Sequence, residues 1–137
     1  MHVRKITYTD YNGNQRTEDF YFNINKSEVT KMELGVDGGY GNMLKRIIET
    51  KDGPMIMETF NKLILQSYGV KSLDGKRFEK SPELAAAFEQ SEAYNVLFME
   101  LVTDAKKGAD FVNAVLPNDL VEQALAAQNQ GAITANV

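Results

Sequence analysis

The segment Asp74-Gly75-Lys76-Arg77-Phe78-Glu79-Lys80-Ser81 places three cations within five residues, just ahead of a helix start. Such a cluster beside a helix N-terminus is suited to holding an anion. The same residues also read as a type I or I′ turn with solvated basic side chains, and that reading outweighs the anion site. The functional use that fits the loop best is a protein contact. Lys76, Arg77 and Lys80 would face an acidic partner, and Phe78 would serve as an anchor if exposed.

Other residue patterns do not assemble into a reaction centre. The run Gly35-Val36-Asp37-Gly38-Gly39-Tyr40-Gly41 invites comparison with a phosphate loop. It lacks a third glycine at the required offset, no Gly-Lys-Ser/Thr follows, and a helical segment precedes it, so it reads as a helix-to-helix loop. Asp10, Asp37, Asp52, Asp74 and Asp104 all fall at expected turns, where aspartate caps are common, and none opens a calcium-loop spacing. The chain has no cysteine, which excludes disulfides, thiol catalysis and zinc-thiolate sites. Its one histidine, His2, adjoins Met1, where a fixed geometry is expected to be hard to maintain. No catalytic, cofactor or metal residue is assigned, and the expected protein is not an enzyme. Met32, Met43, Met55, Met57 and Met99 sit mostly in helical stripes, where core filling is the first reading and an adaptable binding face the second.

The elements that would position the basic loop are short. Ile6 and Tyr8, then Phe20, Phe22 and Ile24, alternate with polar residues, which predicts a hairpin over 3–24 turning at Asn12-Gly13-Asn14. A three-residue loop through Asn14 would set Ile6 opposite Phe20, Thr9 opposite Thr17 and Asp10 opposite Arg16, gathering the apolar residues on one face. Asn25 is expected to cap a helix carrying Val29 and Met32. A second helix should run over 42–50, with Met43, Leu44, Ile47 and Ile48 on one side. Asp52-Gly53-Pro54 restarts a third, striped by Met57, Phe60, Leu63, Ile64 and Tyr68 and closed by Gly69 as C-cap. Ser81-Pro82-Glu83 opens a fourth helix with Leu84, Ala87 and Phe88 inward. Tyr94, Leu97, Phe98 and Leu101 mark a fifth, and Phe111, Val112, Val115 and Leu116 a sixth, ended by Pro117. Asn118 or Asp119 would cap a last helix through Leu125, followed by a polar tail over 128–137.

These elements predict one α+β domain over 1–127, a β-hairpin packed on a bundle of short helices. The 137 residues, 43% apolar and 25% charged, are in the range for such a domain. Residues 1–80 carry 13 basic and 11 acidic side chains, whereas residues 81–137 carry two and eight. A phosphate backbone would be repelled by the second half, so nucleic acid is not an expected partner. No apolar run approaches the ~20 residues of a membrane span and no signal-peptide core opens the chain, so a cytosolic protein is expected.

Several segments in order give a resemblance. They are Ile6-Thr7-Tyr8-Thr9-Asp10-Tyr11-Asn12-Gly13, Glu18-Asp19-Phe20-Tyr21-Phe22-Asn23, the segment 74–81, Glu92-Ala93-Tyr94 with Leu97-Phe98-Met99-Glu100-Leu101, and Pro117. Over about residues 3–120 the chain resembles the small tail assembly chaperones of long-tailed bacteriophages, especially phages of Gram-positive hosts. The resemblance implies a non-enzymatic protein that binds the long helical tape measure protein and helps recruit tail tube subunits. It also implies a place in the host cytoplasm, absence from the finished virion, and in some members a longer frameshifted form. A structural virion protein, such as a head-tail connector or decoration subunit, is the alternative.

Overall fold

The alternating pattern of the first 24 residues forms two antiparallel strands, β1 (His2–Thr9) and β2 (Gln15–Phe22). In the computed structural model, which describes residues 1–34 and 40–117, their register differs from the expected one by two positions. Thr7 pairs with Thr17 and Tyr8 with Arg16, so Ile6 lies opposite Glu18 rather than Phe20. The turn decides this. Its loop is Tyr11–Gly13: the Asp10 N–H donates to the Asn14 carbonyl at 2.8 Å, and Gly13 adopts φ +83°. The Asp10 carboxylate locks it, accepting from the Asn12 and Asn14 N–H groups at 2.9 Å each and from Arg16 Nε at 2.6 Å. Asp10 and Arg16 thus pair as ions but not as ladder partners. A slip by one residue would have turned the apolar set outward, whereas a slip by two preserves the face. Ile6 and Phe22 are buried and Phe20 half-buried on the inner side.

The helix starts follow local capping chemistry. Asn25 and Glu28 form a reciprocal box at the head of α1 (Lys26–Leu34): the Glu28 N–H donates to Asn25 Oδ1 at 2.8 Å, and the Asn25 N–H to Glu28 Oε1 at 3.1 Å. After α2 (Tyr40–Thr50), Asp52 caps α3 (Gly53–Ser67), with Pro54 in its first turn. Ser81, Ser91 and Asp104 cap α4 (Pro82–Glu89), α5 (Glu92–Thr103) and α6 (Ala105–Val115). Of the glycine run expected as a loop over 35–41, Tyr40 and Gly41 belong to the first turn of α2, and residues 35–39 lie outside the described residues, as do the expected last helix and polar tail beyond 117.

The segment expected as a loop after α3 is a second hairpin, β3 (Tyr68–Lys71) and β4 (Phe78–Glu79), and the sheet order is β1-β2-β3-β4. Gly69 is therefore a strand residue and not a helix cap. A Cβ there would lie 2.7 Å from the Phe78 ring and 2.9 Å from the Glu79 carbonyl, so only glycine admits this close approach. Two further expectations fail by rotation about a helix axis: Met57 and Ala87 face solvent.

The sheet packs on helices through an aromatic cluster centred on Phe88. Its ring stacks on Tyr68 at 4.3 Å and meets Phe20, Phe22 and Tyr94 at 5.3–5.8 Å. Helix α5 packs against β1, α3, α4 and α6. Backbone bonds from the Asn23 N–H to the Ser67 carbonyl and from the Ile24 N–H to the Val115 carbonyl carry the chain out of the sheet between α3 and α6.

Candidate protein-binding site

Strand β3 ends in a turn built by side chains. The Asp74 carboxylate accepts from Ser72 Oγ at 2.7 Å and the Lys76 N–H at 3.0 Å, which holds its pKa below the usual carboxylate range. The Arg77 N–H donates to Ser72 Oγ, the Gly75 N–H to the Ser72 carbonyl, and Gly75 takes φ +74°. The turn is thereby held in one shape, with Leu73 wholly exposed at its tip.

The four residues singled out by sequence divide into two pairs. Lys76 is exposed and makes no ion pair among the described residues, and Arg77 is exposed with a 3.4 Å contact to Glu79. Phe78 is half-buried on the sheet's outer side, its ring against Gly69. Lys80 reaches back to α1, donating to both carboxylate oxygens of Glu28 at 2.9 and 2.8 Å, with its Nζ 5.7 Å from the Phe78 ring centre. Lys80 thus fastens the second hairpin to the helices, and Lys76 and Arg77 are left facing water.

Two concave surfaces flank this hairpin, and Tyr68 lines both. One is a groove of about 440 Å³ between α3 and α4, with Leu65, Tyr68, Pro82 and Ala85 as apolar lining and Lys62 and Lys80 among its polar residues. The other is a cleft of about 490 Å³ between β2 and β3. It arises because these strands pair only at Tyr21–Gly69 and Phe22–Tyr68 and then diverge. Neither surface is visible as a motif in the sequence. The methionines, read first as core, line neither surface: Met55, Met57 and Met99 face solvent, while Met32 and Met43 pack on the core.

His2, expected to lack a fixed place, is a residue of β1 whose ring meets Phe111 edge-on at 5.6 Å. Its Nε2 is buried without a hydrogen-bond partner, and burial, then Arg4 and the N-terminal amine, lower its pKa. Burial likewise raises the Tyr68 pKa. Among the described residues no group of three or more His, Asp or Glu is placed to hold a metal ion. No helix among them is long and apolar enough to cross a membrane.

A family model described as phage tail assembly chaperone matches residues 1–136, nearly the whole chain. No curated protein and no solved structure matches it.

Proposed function

The chain belongs to the phage tail assembly chaperone family, and from that premise we propose that it binds the tape measure protein and helps recruit tail tube subunits during tail morphogenesis, without catalysis. The observation that supports a helical partner is the α3–α4 groove. Its apolar lining and lysines suit one face of an amphipathic helix with acidic flanks. Lys76 and Arg77, exposed on the turn of the second hairpin, would meet acidic surface, either on a partner or on a second copy through its acidic C-terminal half. The proposed setting is the host cytoplasm, with no nucleic acid, membrane or cofactor involved, and the protein leaves before the virion is complete. Release calls for a modest, partly polar interface rather than an obligate one.

Co-expression tests this reading. The tape measure protein should stay soluble with this chain and precipitate without it, and pulldown should recover both. Stoichiometric recovery of the chain from washed virions would instead identify a structural virion protein.

A further inference from the structure

The first hairpin turns on Asn12-Gly13, the only Asn-Gly step among the 137 residues. The backbone requires glycine there, because Gly13 takes φ +83°. The same lack of a side chain leaves the Gly13 nitrogen unhindered for attack on the side-chain amide carbon of Asn12. Both residues are exposed, and nothing lies within 4 Å of the place a Gly13 Cβ would occupy. The turn itself opposes that attack. The Gly13 N–H donates to the Asp10 carbonyl at 2.9 Å, and this proton must leave before the nitrogen can act as a nucleophile. The Asp10 carboxylate accepts from the Asn12 and Asn14 N–H groups at 2.9 Å each, so a deprotonated amide in the loop would meet a like charge. Asp74-Gly75 turns the second hairpin in similar bonds, but there the Asp74 carboxylate is held ionised and is a poor acceptor for such attack. The neutral amide of Asn12 lacks that protection and depends on the closed turn.

We propose that Asn12 is a covalent modification site controlled by the fold: its side chain cyclises onto the Gly13 nitrogen when the first hairpin opens, and stays intact while the hairpin is closed. Water is the only other reactant. The Gly13 nitrogen gives its proton to solvent and bonds to Asn12 Cγ; the Cγ–Nδ2 bond breaks, and the nitrogen leaves as ammonia with a proton taken back from solvent. Water then opens the five-membered imide, at one carbonyl to aspartate and at the other to isoaspartate. Aspartate adds a negative charge beside Asp10. Isoaspartate also carries the main chain through Cβ, adding one main-chain atom to a loop whose spacing the Asp10 bonds hold. The β1–β2 register that places Ile6 and Phe22 in the core is set by that spacing, so a chain converted while open refolds to a weaker hairpin. The turn thereby keeps a chemical record of time spent open.

This chemistry is independent of any partner. The full chain, held at mildly alkaline pH with and without denaturing urea, tests it by mass spectrometry of the peptide containing Asn12. In urea Asn12 should convert before any other asparagine, and in the native state at least tenfold more slowly. Urea added below the unfolding transition should speed conversion in step with exchange of the Gly13 amide hydrogen. Asp10→Ala, which frees the turn, should speed native conversion at least threefold. Native conversion as fast as in urea, another asparagine converting first, or conversion that does not follow Gly13 exchange would each overturn the proposal. So would an Asp10→Ala chain that melts like the parent and converts no faster; if that variant does not fold, the Gly13 exchange comparison in the parent decides. After refolding, chains carrying isoaspartate should melt below an Asn12→Asp variant, and equal melting would overturn the link to register.

Discussion

At the residue scale, the inner face of the first hairpin carries unequal loads. Phe22 is fully buried among Tyr68, Phe88 and Phe111, whereas Phe20 is half-buried. Phe22→Ala should cost about 3–5 kcal/mol, in the range for large core truncations, and Phe20→Ala clearly less. Chemical denaturation of both variants checks the order; equal losses would contradict it. His2 gives a pH dependence of known sign. Its folded pKa is lowered, so the native state holds it neutral while the unfolded chain protonates near its ordinary value of 6.5. Its contribution is present above that pH and is lost as pH falls toward the folded value. Melting temperature should therefore decline below about pH 6.5 by a component that His2→Phe removes. An unchanged pH profile in that variant would show that His2 does not titrate on unfolding.

At the element scale, the second hairpin is both a wall of the sheet and a projecting tip, and its lysines separate these roles. Lys80 and Glu28 join β4 to α1 with both side chains largely shielded. Lys80→Glu sets two carboxylates against each other and should destabilise by roughly 1 kcal/mol, the upper end for partly exposed pairs. Lys76→Glu with Arg77→Glu changes exposed turn residues and should leave stability within about 0.5 kcal/mol, while weakening partner capture in a salt-sensitive way. Thermal melts beside pulldowns at two salt concentrations distinguish the pairs. Stability loss in the Lys76/Arg77 variant would make the basic turn structural.

At the scale of the whole molecule, the sheet and helices leave open a groove between two helices and a cleft between two strands, 440 and 490 Å³ in volume. Ala85 lines the groove on α4 and is only half-buried, with Lys62 and Lys80 also lining it. Ala85→Glu should be accommodated by the fold, since the added carboxylate lies among cations, yet should exclude an apolar helix face. The expected outcome is loss of tape measure solubilisation on co-expression, with melting shifted by no more than a surface change, about 0.5 kcal/mol. Full solubilising activity in this variant would move the proposed contact elsewhere on the molecule.

Local chemistry makes most of the elements legible in the sequence. Asn25, Asp52, Ser81, Ser91 and Asp104 cap helices because a short polar side chain reaches the next free N–H groups, an interaction confined to three or four residues. Alternation likewise determines which residues of the first hairpin face inward, because a strand's side chains repeat every two residues. The register is decided by Asp10 gripping the turn, and the identity of β3 by an edge of β2 lying alongside it. A four-residue strand has too little pattern to declare itself, and Tyr68-Gly69 reads equally well as a helix end. Which cations fasten the fold and which meet water is also beyond the sequence: Lys80 finds Glu28 across 52 residues, whereas Lys76 finds no such carboxylate among the described residues. Ion pairs and grooves between distant segments exist only once packing has fixed the distances, and the separation of Lys80 from Lys76 is a consequence of that packing.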